Sequence, residues 1–155
     1  MRTQILTAAV ATAALAVLGT AQAQETTHPA VKARTAIMDL YANNLGQLGA
    51  MAKGEVAYDA AAASAAANNL ALLVQLDQSA LWPQGTDSGS IENTRALPAL
   101  WQNFPDVMAK GKALSDAAMA MQAAAGTDLG SLQANIGALG GACGACHKAY
   151  RAPAQ

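Results

Sequence analysis

The sequence predicts an all-α protein folded as an antiparallel, up-down-up-down four-helix bundle. Alanine is abundant, and it has the highest helix propensity of any residue. Aromatic residues make up only 4% of the 155 residues, whereas sandwiches and barrels need strands rich in aromatic side chains. Four stretches of roughly 20 residues repeat apolar residues at helical spacing, and no stretch alternates as a strand does.

The N-terminal 23 residues have the pattern of a secretory signal peptide. Arg2 is followed by an uncharged apolar stretch over residues 5–20 and then by the small-residue triplet at residues 21–23. A permanent membrane anchor is the alternative, but the apolar run is short and no flanking charge follows it. We therefore expect residues 1–23 to be removed and residues 24–155 to form one exported domain without a membrane span.

The first two helices are predicted from a heptad pattern and from capping residues. The apolar residues that recur seven apart are Val31, Met38, Leu45 and Ala52. They predict a first helix over residues 31–53, which ends at Lys53 before Gly54. Asp59 is the predicted N-cap of a second helix, which runs from residue 60 to about residue 77. A long surface loop over residues 78–98 follows, because this stretch contains a cluster of helix breakers.

The third and fourth helices are predicted from the same signals. Asn103 is the expected cap of the third helix, which runs to Ala125 before Gly126. Its predicted core face consists of Phe104, Met108, Gly111, Leu114, Ala118 and either Met121 or Gln122. The fourth helix opens at Thr127-Asp128 and has the most regular apolar spacing in the chain. Its seam consists of Leu129, Leu132, Ile136, Leu139, Cys143, Cys146 and Tyr150.

Both cysteines lie in one short motif on this last helix, Cys143-Gly144-Ala145-Cys146-His147. C-x-x-C-H is the pattern for covalent attachment of a c-type haem. On a helix the two thiols face the same way, so they can form thioether bonds to the two vinyl groups of one haem. His147 can then donate an imidazole nitrogen to the iron. Since both cysteines continue the apolar seam, we expect the haem to lie inside one end of the bundle.

Other interpretations of the cysteines fit the sequence less well. A C-x-x-C redox centre normally follows a strand, and no strand pattern is visible. A structural zinc site needs more ligands, and His28, which we expect to be solvated, is the only other histidine. A plain disulfide would leave His147 unexplained.

Met38 is the candidate for the opposite face of the haem. First and last helices are neighbours in an up-down bundle, and His147 lies about one and a half turns before its helix ends. The facing level of the first helix is near Ile37 and Met38, and Met38 lies on the heptad seam. These residues alone leave two readings open: Met38 is a second iron ligand or a core methionine that fills a gap.

The stretch from Cys143 to Arg151, C-x-x-C-H-x-x-Y-R on the last helix of a four-helix bundle, resembles the class II c-type cytochromes, the cytochrome c' family. The segment from Val31 to Arg34, with Met38 four residues later, matches as well. So do the Lys53-Gly54 turn and the segment from Pro98 to Trp101.

This resemblance implies a periplasmic electron-transfer protein with one covalent haem c. It implies His147 as proximal ligand and favours Met38 as sixth ligand, as in the low-spin branch of the family. The alternative is a five-coordinate, high-spin iron that binds nitric oxide or carbon monoxide, with Met38 as a lid. The resemblance also matches Arg34 and Thr35 to positions that contact the haem edge and propionates, and it places Arg95 near a third such position.

The net charge and the types of residue present limit the classes of partner and activity that we expect. The formal net charge is −1 and no basic stripe is present, so nucleic acid is not an expected partner. No base and nucleophile constellation suggests an enzyme. The family is often a homodimer through its first two helices, and the alanine-rich stretch over residues 60–67 would allow such packing. The redox partner protein is not identifiable from the sequence.

Overall fold

The structure is a computed structural model that describes residues 27–154. It contains the helices α1 (Pro29–Lys53), α2 (Ala60–Leu73), α3 (Ala99–Gln102), α4 (Phe104–Ala124) and α5 (Leu129–Tyr150), and a single 3₁₀ turn at Ser79–Leu81. The signal peptide predicted for residues 1–23 lies outside the described residues. Within residues 27–154, no helix combines the length and the hydropathy needed to cross a membrane.

The four long helices form the predicted bundle. Helix α1 packs against α2 and α5, and α4 also packs against α2 and α5, so the helices close into a ring in which chain neighbours are antiparallel. The core lies along the axis of this ring. Its most deeply buried large side chains are Leu48, Met121, Leu132, Leu139 and Val31. Alanines of α2 fill the space between them and let α2 approach closely.

Local capping explains why most helices begin and end where they do. The side chains of Asp59 and Asp128 accept hydrogen bonds from backbone N–H groups three residues later, at 2.7 Å in each case. Gly54 ends α1 with a left-handed φ of 74°, which favours glycine. His28 is exposed, as expected, and its Nδ1 accepts a hydrogen bond from the Ala30 N–H at 3.1 Å, so His28 is also the N-cap of α1.

Helix α2 is shorter than predicted. It ends at Leu73, about one turn before residue 77, and the chain then turns towards α1. Gln78 holds this turn, because its side-chain amide donates to the Leu73 carbonyl at 3.3 Å and to the Tyr41 hydroxyl at 3.2 Å.

Part of the predicted core face of α4 lies outside the core. Ala118 and Met121 are fully buried as predicted, but Phe104 and Met108 are each 58% exposed. Leu114 of α4 lines a cavity together with the end of α2, so the turns of α4 before Leu114 extend beyond that helix. Without α2 beside them, Phe104 and Met108 lack the neighbour that buries the rest of this face.

Candidate functional site

The attachment motif lies near the C-terminal end of α5. Cys143 and Cys146 are one turn apart, and both are half-buried, unpaired thiols. Burial raises the pKa of both thiols, so they are neutral at pH 7. Each thiol can add its S–H across a vinyl double bond, so that the sulfur bonds to one carbon and the hydrogen to the other. Their one-turn spacing therefore suits two thioether bonds to one planar group.

His147 follows the second thiol directly and is also half-buried. Burial lowers the pKa of its imidazole, and the positive charges of Arg151 and Arg95 lower it further. The neutral imidazole keeps a lone pair available, which is the form that binds a metal ion. His147 is thus chemically suited to ligate iron.

An apolar cavity adjoins Cys143 and receives side chains from all four long helices. Its lining consists of Tyr41, Leu45, Leu70, Val74, Leu114, Ala118, Leu139 and Cys143. The polar group among these side chains, the Tyr41 hydroxyl, already has a hydrogen-bond partner in Gln78. The cavity has a volume of about 10 Å³, so the surroundings of the Cys143 thiol match a large cofactor in their apolar character and not in the space they leave open.

Two observations define the register between α1 and α5. The side-chain amide of Gln133 donates to the Ala52 carbonyl at 2.8 Å, near the end of the bundle away from the motif. Nearer the motif, Tyr41 and Cys143 line the same cavity. Both pairs agree with one antiparallel alignment of the two helices.

This alignment places Met38 at the predicted level. Three residues before Tyr41 on α1 correspond to three or four residues after Cys143 on α5, which brings Met38 level with Cys146 and His147. Met38 is half-buried and packs against the central core cluster. Its ligation of iron stays a prediction.

Arg34 lies one turn before Met38 and is buried, with 4% of its surface exposed. Its Nη1 donates to the Leu81 carbonyl at 3.2 Å and to Thr86 Oγ1 at 2.8 Å. Its Nη2 donates to the Thr86 carbonyl at 2.5 Å and to Thr94 Oγ1 at 2.7 Å. Arg34 therefore fastens the long loop to α1. Its predicted contact with the haem edge stays a prediction, as does that of Thr35, which is exposed.

Two tryptophans complete the surroundings of Arg34. The guanidinium carbon lies 4.9 Å from the ring centre of Trp82 and 5.8 Å from that of Trp101. Trp101 Nε1 also donates to the Trp82 carbonyl at 2.9 Å. Burial lowers the pKa of Arg34 and the charge of Asp87 raises it, but a guanidinium stays protonated. The sequence analysis did not predict this cluster. The only signal for it in the sequence is that aromatic residues are scarce.

Arg95 belongs to the long loop, where it is exposed and contacts the chain just after α5. Its Nε and Nη2 donate to the Ala152 carbonyl at 2.8 and 2.5 Å. The family resemblance placed Arg95 near a position that contacts the haem edge and propionates, but nothing in the sequence predicted this contact, which joins residues 57 positions apart. Its predicted contact with the haem edge stays a prediction.

Comparisons with known proteins agree with the motif and the fold. The family model described as Cytochrome C' matches residues 29–151. Cytochrome c-554 of Cereibacter sphaeroides is 46% identical over 121 residues, which are 78% of this chain and 79% of that protein. Cytochrome c' of the same organism is 40% identical over 142 residues, which are 92% of this chain and 95% of that protein.

A solved structure supports the same assignment. Cytochrome c' from Rhodobacter Spheriodes superimposes with a TM-score of 0.79 at 41% sequence identity, and the match covers 81% of this chain and 96% of that one. The fold, the C-x-x-C-H motif and the apolar side chains around the Cys143 thiol therefore point to one conclusion. This chain belongs to the cytochrome c' family of haem electron-carrying proteins and binds one covalent c-type haem.

Proposed function

We propose that this protein is an electron carrier whose haem iron takes His147 as its one protein ligand and binds nitric oxide or carbon monoxide on the opposite face. The observation that carries His147 as the ligand is its position on α5 directly after Cys146, partly buried beside the attachment thiols. Met38 would cover the opposite face as a lid, because it has apolar packing of its own in the core.

The related proteins support the open coordination site more than the Met38 ligation that the sequence favoured. Several relatives have the name cytochrome c'. A solved variant of cytochrome c' from Alcaligenes xylosoxidans, 33% identical to this chain with a TM-score of 0.71, is described with carbon monoxide bound. A second variant, 33% identical with a TM-score of 0.70, is described with nitric oxide bound.

A second candidate function has its own observation. The register of α1 against α5 puts Met38 at the level of His147, so the thioether could serve as a sixth ligand. Ligation by histidine and methionine raises the reduction potential and suits electron transfer without gas binding.

The chain's own residues would hold the cofactor, which supplies a one-electron couple when bound. Cys143 and Cys146 would anchor it covalently, and His147 would orient it. The apolar side chains around the cavity would exclude water, which lowers the local dielectric constant around the iron.

Electron paramagnetic resonance of the ferric holoprotein at neutral pH distinguishes the two candidates. We expect a high-spin signal, and a low-spin signal would overturn the open site. Met38→Leu removes the sulfur while keeping the volume, so we expect the spin state to be unchanged. Met51→Leu is the matched control, because Met51 is a buried methionine of α1 far along the helix from Met38.

We also propose export to the periplasm. The pattern of residues 1–23 supports it, and covalent haem attachment through free thiols is compatible with an exported domain. N-terminal sequencing of the protein purified from the periplasm should begin at residue 24.

We further propose that the protein forms a homodimer through the outer face of α1 and α2. Leu40 and Leu72 on these helices are 50% and 56% exposed. The hydrogen bond of 3.0 Å between Asn44 and Asn69 sets the register and places both leucines at one level of the helix pair. A cytochrome c' structure that is 31% identical, with a TM-score of 0.74, is described as having ligand-controlled dimer dissociation.

A further inference from the structure

Helix α5 ends only three residues after His147, at Tyr150. The carbonyl groups in the last turn of a helix have no partners within that helix, and helix ends therefore fray unless other groups bind them. A ligand held in such a turn would present its imidazole at a variable angle. The groups that contact the end of α5 therefore affect the orientation of the His147 imidazole.

The long loop pairs with the chain just beyond His147. The Leu97 N–H donates to the Tyr150 carbonyl at 2.9 Å, and the Ala152 N–H donates to the Arg95 carbonyl at 2.8 Å. Between these two bonds, Ala96 and Arg151 form an antiparallel bridge. We name this pairing of residues 95–97 with residues 150–152 the C-terminal tether.

The side chain of Arg95 closes the tether. Its Nε and Nη2 both donate to the Ala152 carbonyl, whose own N–H is bonded to the Arg95 carbonyl. Arg95 and Ala152 are therefore joined by three hydrogen bonds, two of them strengthened by the positive charge. Residue 151 adds a link back to the ligand, because the Arg151 N–H donates to the His147 carbonyl at 3.0 Å.

We propose that Arg95 is a positioning residue for the proximal ligand. By fixing Ala152, it holds the last turn of α5 closed and limits the orientations of the His147 imidazole. Groups that orient a metal ligand from outside the coordination sphere tune the strength of the metal–ligand bond. This inference rests on the proposed function only in taking His147 as an iron ligand.

The test compares Arg95→Gln with Lys148→Gln in the haem-loaded protein. Each variant removes one positive charge close to His147, but Lys148 is exposed and lies outside the tether. The first readout is amide hydrogen exchange at Leu97 and Ala152. The second is the iron–histidine stretching band of the ferrous protein, recorded after photolysis of its carbon monoxide complex so that a sixth ligand does not interfere.

We expect Arg95→Gln to speed exchange at both amides at least tenfold and to shift or broaden the iron–histidine band, while Lys148→Gln changes neither. Arg95→Lys should restore part of both effects, since an ammonium group can still donate to the Ala152 carbonyl. If Arg95→Gln alters only the reduction potential, and to the same degree as Lys148→Gln, Arg95 acts through its charge and the proposal is wrong.

A second variant tests the tether without changing any charge. Ala152→Pro removes the N–H that donates to the Arg95 carbonyl. It should change the iron–histidine band in the same way as Arg95→Gln. If Arg95→Gln fails to take up haem, Ala152→Pro tests the proposal by itself. An unchanged band would overturn the proposal. If the wild-type protein itself shows no iron–histidine band, His147 is not an iron ligand and the proposed function is wrong. The failure of the proposed function is therefore distinguishable from the failure of this inference.

Discussion

The hydroxyl of Tyr150 lies 2.5 Å from a carboxylate oxygen of Asp106, and this bond joins the last turn of α5 to the first turn of α4. Lys110 lies 3.4 Å from the same carboxylate oxygen. The hydrogen bond from Tyr150 lowers the pKa of Asp106, and it raises the pKa of Tyr150 to about 12. The helix that carries the haem motif is thereby fixed to α4 as well as to the long loop.

Tyr150→Phe should reduce stability by an amount that depends on pH. The depressed pKa of Asp106 contributes stability above its unfolded value of 3.8, and this contribution is lost as pH falls through the lower folded value. The raised pKa of Tyr150 contributes stability up to pH 10, and this is lost as pH rises from 10 towards about 12. Urea unfolding of the holoprotein should show the largest difference from wild type near pH 7.

Tyr58→Phe is the matched control for the loss of stability at acidic pH. The Tyr58 hydroxyl donates to the Ala125 carbonyl at 2.9 Å, an acceptor that does not titrate. The loss in the free energy of unfolding caused by Tyr58→Phe should therefore be the same at pH 7 and at pH 3. An equal cost of Tyr150→Phe at both pH values would contradict the role assigned to Asp106.

Gly126→Ala should destabilise the bundle at the end away from the haem. A methyl group at Gly126 would clash with Ser64 Oγ and lie 3.5 Å from the Ala60 carbonyl, so the serine must change rotamer. We expect a loss of about 1 kcal/mol in the free energy of unfolding. Ser64→Ala in the same chain should restore most of it, because the hydroxyl is then absent.

The control for this substitution is Gly49→Ala in α1, where a methyl group would meet nothing within 4 Å. It should stabilise the protein slightly, because alanine favours a helix interior over glycine. Equal effects of Gly126→Ala and Gly49→Ala would show that Ser64 is no obstacle.

Arg34→Met should destabilise the protein more than any substitution above. It leaves the Leu81 and Thr86 carbonyls without the donor they have in the native state, and unsatisfied buried acceptors cost on the order of 1–3 kcal/mol each. Guanidinium unfolding of the holoprotein should show a loss of about 3 kcal/mol. Lys32→Met removes an exposed charge of the same helix and should have little effect.

Leu40→Arg and Leu72→Arg should each convert the proposed dimer to a monomer, because a charge in an apolar interface is left without hydration. Sedimentation velocity at micromolar concentration reports the change. Met119→Arg is the control, since Met119 is 45% exposed on α4 and lies outside the α1/α2 face. A wild-type protein that sediments as a monomer would refute the dimer.

Several features of this protein are local properties of the chain, and the sequence alone determined them. Asp59, Asp128 and Gly54 act on backbone groups within a few residues, so the ends of helices that they control were predictable. The C-x-x-C-H motif likewise specifies its own chemistry, because both thiols and the imidazole lie within two turns of one helix. The bundle topology followed from four apolar seams joined in order.

The tertiary structure decided the features that join distant parts of the chain. Gln78 reaches across to Tyr41 just after α2 has ended, and Phe104 and Met108 are exposed where periodicity predicted burial. The contacts of Arg34 with the loop and of Arg95 with Ala152 span about 50 to 60 residues. No local pattern encodes such pairs, because the donor and the acceptor meet only after the helices have packed and the loop has closed over the end of the bundle.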